Sequence, residues 1–161
     1  MKTVRRVIRE KAFQSLFQLS TDIDCTNEEV IQFSLESELN MKENYSAEEA
    51  MKIVLPEDKS GSQIVRDALN YLTVVVAGVK DNENVIDETI SRHLKKWTLN
   101  RLERTNLLIL RLATYELLFQ KEIDKSIVIN EAIELTKDFN DQNASKFVNG
   151  VLQSIVDTQA E

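Results

Sequence analysis

The chain has 161 residues, the length of one compact domain or of two small lobes, and long enough to bury a hydrophobic core. Its residues are 42% hydrophobic, but three glycines and one proline are too few for a fold of many short strands, so the composition favours helices. The net charge of −7 argues against nucleic-acid binding unless positive charge is concentrated locally, and one cysteine and one histidine exclude an internal disulfide and a Cys/His zinc site.

The first predicted helix covers residues 3–19, where apolar residues recur at three- and four-residue steps. An acidic segment, residues 20–60, comes next. It contains eleven acids and three lysines, a net charge of −8, so more than the whole negative excess of the chain lies there.

Two capping boxes predict helix starts within the acidic segment. Thr26 with Glu29, and Ser46 with Glu49, have the spacing at which a hydroxyl and a carboxylate bond the free backbone amides of a first turn. The helices predicted from them cover residues 27–39 and 47–54.

The rest of the chain is also predicted to be helical. At the β-branched run 74–76 a strand is the alternative. A helix is favoured there, because the polar stretches on both sides keep the helical period. The span 102–119 is apolar on nearly all sides, which indicates a central, surrounded helix. The predicted spans are 63–79, a helix beginning at Asp81 or Asn82, 102–119, 126–139 and 144–156. The fifth predicted helix places on its buried side Val85, Ile86, Ile90, Leu94 and Trp97.

The sequence provides no catalytic constellation. It lacks a GxGxxG motif, a P-loop and a GxSxG motif, and the acids around Cys25 oppose the formation of a thiolate. His93, between Arg92 and two lysines, is interpreted as a solvated or phosphate-facing residue on a surface helix. We therefore predict no catalytic residue, no metal and no cofactor. No apolar run reaches the ~18 residues of a membrane span, and the expected location is the cytoplasm.

The start of the first helix concentrates positive charge. Residues 1–11 hold five cations and one acid, a net charge of +4. At about 100° per residue, Lys2, Arg5, Arg6 and Arg9 share one face, opposite the apolar one. Cations in a first turn oppose the helix dipole, so an external anion is expected to compensate for them. Three interpretations remain open: an RNA or another polyanion, an acidic protein partner, or a solvated surface.

Four segments resemble, in order, the signatures of the bacterial NusB family of transcription antitermination factors. Residues 5–18 read RRVIREKAFQSLFQ, and three later segments read ILRLATYEL from residue 109, INEAIELTK from residue 129 and KFVNGVL from residue 146. The resemblance covers residues 1–18 and about 63–156, whereas the acidic segment matches poorly.

The resemblance implies an all-helical fold of about seven helices in two small bundles, an N-terminal one over 1–80 with the arginine-rich first helix and a C-terminal one over 81–161. It implies a non-enzymatic factor that binds the boxA element of nascent ribosomal RNA together with ribosomal protein NusE, within the RNA polymerase antitermination complex. Homodimerisation is left open, because family members differ in it. The RNA-binding residues that follow from the charge pattern and the resemblance are Lys2, Arg5, Arg6, Arg9, Gln14, Lys146 and Asn149.

Three positions expected to face NusE depart from the family pattern. Phe17 stands where a tyrosine is usual, Asn106 stands where an acid is common, and Asn143 stands where polar or acidic residues occur ahead of the KFVNG motif. The rival hypothesis is a helical protein–protein adaptor without direct RNA binding, or a free-standing equivalent of the similar domain on certain ribosomal RNA methyltransferases.

Other matched residues have structural interpretations. Arg111, Glu116 and Glu131 are expected to form a partly buried ion-pair set, since charges in an apolar setting need partners. Gly150, in mid-helix, indicates a close helix crossing. For Lys146 and Asn149, near the start of the last helix, capping is the alternative to phosphate binding.

Overall fold

The computed structural model describes residues 2–22, 24–40 and 43–159, and in these ranges it forms eight α-helices, two one-turn 3₁₀ helices and no strand. The prediction of an all-α fold is confirmed, with eight α-helices rather than about seven. The α-helices are α1 (Val4–Thr21), α2 (Asn27–Glu36), α3 (Ala47–Val54), α4 (Ser62–Asp81), α5 (Glu83–Arg92), α6 (Arg104–Phe119), α7 (Lys125–Phe139) and α8 (Gln142–Gln159). The 3₁₀ helices are Glu57–Lys59 and Leu99–Arg101.

The chain divides into two compact units, Met1–Ala77 and Gly78–Glu161. In the first unit α2 packs against both α1 and α3. In the second, α6 packs against α5, α7 and α8, and α7 also packs against α8.

Side-chain caps set the starts of the first three helices. Thr3 Oγ1 accepts a hydrogen bond from the Arg6 backbone amide at 3.2 Å. Both predicted capping boxes are formed, at Thr26 and at Ser46. In each, the hydroxyl accepts a hydrogen bond from the backbone amide of the glutamate, and the glutamate carboxylate accepts one from the backbone amide of the hydroxyl residue. The prediction of these two helix starts from three-residue spacing alone is therefore confirmed.

The span with the β-branched run is a helix, so the strand alternative is wrong. Val75, Val76 and Val79 are buried whereas Val74 is exposed, as the helical period requires when one face meets a core. Leu72, one turn earlier, is also buried.

Helix α6 is the centre of the second unit. Ile109 and Leu110 are fully buried, and Leu108, Leu112 and Leu117 nearly so. Together with Thr114 and Tyr115, which are also buried, these residues point in most directions around the axis, so only a helix covered on most sides could keep them from water. The prediction that this span is surrounded is confirmed.

Arg111 ties α6 to α5, through partners that the sequence analysis did not identify. Its guanidinium donates to both carboxylate oxygens of Asp87, at 2.8 and 2.9 Å, and lies 3.1 Å from a carboxylate oxygen of Glu83. The expectation that Arg111 pairs with Glu116 and Glu131 is wrong, although both of those carboxylates are buried as expected.

Helix α5 is shorter than its apolar pattern indicated. Asn82 stands at its N-cap position without capping it, since its side-chain amide donates to the Gly78 carbonyl at 2.8 Å. Ile86 and Ile90 are buried as predicted, but Val85 is exposed, and Trp97 lies beyond the end of the helix with 54% of its surface exposed.

The glycine in close contact is Gly78, not Gly150. A Cβ at position 78 would overlap the ring of Tyr115, which is buried, stacks on Phe119 with ring centroids 5.4 Å apart and accepts a hydrogen bond from Gln120. A Cβ at position 150 would meet nothing within 4 Å, so the prediction of a helix crossing at Gly150 is wrong.

Substitution of the two glycines by alanine should change the free energy of unfolding in opposite directions. Gly150→Ala should raise the free energy of unfolding by about 0.5–1 kcal/mol, because it removes a flexible residue from an exposed helix position and adds no clash. Gly78→Ala should lower it by about 1–3 kcal/mol, because the Tyr115 ring must move in a packed site. Urea unfolding of both variants measures this difference, and equal effects of the two would contradict the packing described for Tyr115.

Candidate functional site

The first turns of α1 present cations at the surface of the first unit. Lys2 and Arg5 are exposed and Arg6 is half-buried, and no acid lies in the first turn. A helix start is electropositive, so these residues add charge to a place that already attracts anions. We call Lys2, Arg5 and Arg6 the cationic end of α1.

Arg9 does not belong to this exposed set. Only 4% of its surface is exposed, and its guanidinium donates to the Arg5 carbonyl at 3.2 Å. Residues 7–13 are all buried, so α1 is enclosed on every side at this level. The expectation that the arginines of this face are exposed is therefore wrong for Arg9.

Lys11 is directed towards α2. Only 2% of its surface is exposed, and its ammonium lies 3.4 Å from Ser37 Oγ and 3.6 Å from a Glu38 carboxylate oxygen. Burial lowers the pKa of the Lys11 ammonium, and the Glu38 carboxylate opposes that shift. Gln14 is half-buried and accepts from the same ammonium at 3.4 Å, so the structure places it beside Lys11 and not with the arginines.

The acidic helix α2 packs against α1. Its contacts run to Lys11 and to Ser15, whose hydroxyl is 3.2 Å from that of Ser34. At about 100° per residue, Lys11 lies about 120° or more around the helix from both arginines, whereas Ser15 lies opposite Arg6 but only about 80° from Arg5. Lys2, which precedes the first residue of α1, forms an ion pair with Glu10 at 2.8 Å. The described hydrogen bonds between α1 and α2 therefore lie at Lys11 and Ser15, further along α1 than the cationic end.

Asn106 and Asn143 lie together in the second unit, in a depression of about 410 Å³ that we call the polar depression. The Asn140 side-chain amide donates to Asn106 Oδ1 at 3.0 Å and to Glu103 Oε2 at 2.7 Å, which fixes one wall. The remaining lining residues include Trp97, Arg101 and Phe147. Phe17, the third predicted partner residue, is exposed on α1 in the first unit, with its ring 6.1 Å from that of Phe13.

Lys146 and Asn149 lie in the second and third turns of α8, so the capping alternative for them is wrong. The start of α8 is capped by Asp141, whose carboxylate accepts from the Ala144 amide at 2.8 Å. Three residues apart, Lys146 and Asn149 are neighbours on the helix surface. Lys146 is exposed and Asn149 half-buried.

Lys146 also lines a second depression, of about 330 Å³, which we call the tryptophan groove. This site is not among those predicted from the sequence, although the adjacent basic and aromatic residues Lys95, Lys96 and Trp97 are a signal for it. Its lining residues are His93, Leu94, Lys95, Lys96, Trp97, Lys146, Phe147, Gly150, Val151 and Ser154.

For His93 the solvated alternative is wrong, whereas the phosphate-facing alternative stays a prediction. It is the residue at the C-cap of α5, half-buried, with Nδ1 at 2.7 Å from Ser154 Oγ on α8. It is therefore a link between two helices and not a solvated residue on a helix surface.

Cys25 has the unreactive surroundings that the sequence indicated. Its thiol donates to the Asp22 carboxylate at 3.4 Å, and this bond, more than the slight burial and the charges of Asp22, Glu29 and Asp24, raises the pKa of the Cys25 thiol. Within the described ranges, no group of three potential ligands is placed to hold a metal ion. No helix in those ranges is long and apolar enough to cross a membrane.

Comparison with known proteins identifies the family. The sequence profile described as the NusB family matches residues 6–157. The chain belongs to the NusB family. It is 36% identical to the transcription antitermination protein NusB of Lactiplantibacillus plantarum over 161 residues, which cover 99% of each chain.

Solved structures agree with this assignment. A crystal form of T. maritima NusB superposes with a TM-score of 0.69 at 37% identity, covering 96% of this chain and 92% of that one. A second structure, of the antitermination factors NusB and NusE in complex with dsRNA, superposes with a TM-score of 0.72 at 25% identity, covering 98% of this chain and 99% of that one. The resemblance predicted from the four sequence motifs is therefore confirmed over nearly the whole chain.

The environment of Cys25 predicts slow modification of its thiol. The rate of alkylation by iodoacetamide should rise at a higher pH than for a cysteine in a short peptide, because the thiolate is the reacting form and the Cys25 pKa is raised. Asp22→Asn should move the profile to lower pH by removing the charged hydrogen-bond partner. Glu48→Gln, the same charge change elsewhere in the acidic segment, should leave it unmoved. A profile at or below that of the peptide would contradict the described surroundings.

Proposed function

We propose that this protein is an RNA-binding transcription antitermination factor that holds the boxA element of nascent ribosomal RNA together with ribosomal protein NusE. The observation that carries the proposal is the full-length similarity to a NusB solved with NusE and dsRNA, combined with the exposure of the cationic end of α1. In this role the protein contributes binding surfaces and no chemical step.

The cationic end supplies the phosphate contacts. The guanidinium of arginine is planar and always charged, and its paired N–H donors match the oxygens of a phosphate. Arg5 and Arg6 extend from a helix whose next turns are enclosed, so the cations are held on a rigid support. The electropositive helix start acts in the same direction, because it too favours an anion. Arg9, being buried, is assigned a supporting role in place of the direct contact expected from the sequence.

Lys146 and Asn149 are proposed as further RNA contacts. They share one side of α8, where an exposed ammonium and a neighbouring amide can bond phosphate oxygens or a base edge. Gln14 is left out of the proposed contact set, because its side chain is engaged with Lys11.

NusE is proposed to bind through Phe17 and the polar depression around Asn106 and Asn143. Phe17 is an exposed aromatic residue, and exposed aromatics are enriched at protein interfaces. The two asparagines offer neutral donors and acceptors, and Glu103 and Asp141, which line the same depression, add negative charge for a basic group of the partner. We further propose that the RNA–NusE assembly acts with RNA polymerase in the cytoplasm.

Removing the two arginines of the cationic end tests the proposal. Arg5→Ala with Arg6→Ala should weaken binding of a boxA RNA at least about tenfold, since a hydrogen bond from a charged group contributes about 1.5–3 kcal/mol. The salt dependence of the affinity should fall by about 0.7 in log–log slope for each lost contact to single-stranded RNA. Fluorescence anisotropy of labelled RNA over a series of salt concentrations measures both.

The matched control is Arg66→Ala with Lys80→Ala, which removes two exposed cations elsewhere. It should change the affinity little. Thermal melts of both double variants show whether the fold is retained. If the parent protein binds RNA without any salt dependence, or not at all, the adaptor hypothesis without direct RNA binding replaces the proposed function.

A further inference from the structure

The tryptophan groove combines an aromatic floor with a cationic rim. Trp97 has 54% of its surface exposed, a large fraction for an indole, and Leu94, Phe147 and Val151 continue the apolar surface around it. Lys95, Lys96 and Lys146 are exposed among the same lining residues. An apolar surface of this kind is usually covered in folded proteins, so its exposure indicates a binding role.

The groove is built on a fixed frame. His93 at the end of α5 is bonded to Ser154 on α8 at 2.7 Å, which ties one wall to the other. Gly150 leaves the groove open, because a Cβ there would lie in empty space. The groove is therefore a property of the packed helices and not of one mobile side chain.

The charge of the groove is opposite to that of the chain. The chain has a net charge of −7, yet the ten lining residues include three lysines and no acid. Within the part of the chain that the structure describes, none of these three lysines forms an ion pair. A ligand carrying negative charge would therefore meet cations that are not already neutralised by carboxylates.

We propose that the tryptophan groove binds one nucleotide of a single-stranded RNA, with its base stacked on Trp97 and the flanking phosphates at Lys95, Lys96 and Lys146. This inference rests on the proposed function and adds a base-binding site in the second unit to the cationic end of α1. A volume of about 330 Å³ lies at the low end of small-ligand sites, about 300–1,000 Å³, which suits one base and not a duplex.

The side-chain chemistry favours RNA over an acidic peptide. No arginine lines the groove, so the paired donors that recognise carboxylates bidentately are absent from its lining. Lysines act as point charges along a phosphate backbone, and an exposed indole stacks on any base. The site should therefore add affinity with little base preference, as stacking sites on single strands do.

Trp97 is the only tryptophan of the chain, so its fluorescence reports on the groove directly. Titration with a short single-stranded boxA RNA should quench its emission, saturating at the RNA concentration at which anisotropy of labelled RNA saturates. Lys95→Gln with Lys96→Gln should weaken RNA binding and lower the salt slope by about 0.7 for each lost phosphate contact. The charge-matched control, Lys80→Gln with Lys121→Gln, should leave both nearly unchanged.

Substitution of the stacking residue gives a second readout. Trp97→Ala should weaken RNA binding about fivefold or more, and Trp97→Phe should restore most of the loss. Gly150→Leu should fill the groove without a backbone clash and reduce both quenching and affinity. A series of RNAs, each lacking the base at a different position, gives a third test. The absence of one particular base should weaken binding to the parent protein and should not weaken binding to Trp97→Ala.

Three results would overturn the inference. The first is RNA binding at the expected affinity with unchanged Trp97 emission, together with a Trp97→Ala variant that binds RNA as tightly as the parent. This result would leave the proposed function standing. The second is quenching by an acidic peptide and none by RNA, which would assign the groove to a protein partner. The third is the absence of any RNA binding, which would remove the proposed function as well. Melting curves of every variant confirm that the altered binding is not a loss of fold.

Discussion

The enclosure of α1 over residues 7–13 is the constraint on which the proposed interface depends. A helix buried on all sides cannot leave charged groups without partners, because an isolated charge away from water is strongly unfavourable. Glu10 and Lys11 meet this condition through Lys2 and Glu38 respectively. With its middle fixed in this way, α1 holds its first turns rigidly, and Arg5 and Arg6 extend from a support that does not have to be ordered on binding.

An acidic chain binds a polyanion only if its charges are separated in space. More than the whole negative excess lies in residues 20–60, and helix α2 of that segment makes its described hydrogen bonds to α1 at Lys11 and Ser15, further along α1 than Arg5 and Arg6. In the second unit the same separation occurs on a smaller scale, since no acid is among the residues that line the tryptophan groove. Net charge is therefore a poor guide to the partners of this protein, whereas local charge is informative.

Local signals in the sequence predicted the helices well, because they act within a few residues. The capping boxes at Thr26 and Ser46 predicted two helix starts, and the all-round apolar pattern of α6 predicted its central position. The errors concern facts that depend on distant residues. The helical wheel groups Arg9 with Arg5 and Arg6 but carries no information on the packing that buries Arg9. Asp87, the partner of Arg111, is 24 residues away. The basic and aromatic run at Lys95–Trp97 was visible, but only the fold brings Phe147 and Lys146 beside it.

At position 150 the requirements of the fold can be distinguished from those of the tryptophan groove. Nothing in the packing or the backbone requires glycine there, since its backbone is helical and the space around it is open. Mutational drift towards residues with better helix propensity would therefore meet no structural obstacle at this position. Gly78 is different, because Tyr115 excludes a side chain there. Among relatives, the residue at position 150 is thus a marker for an open groove, whereas glycine at position 78 reports only on helix packing.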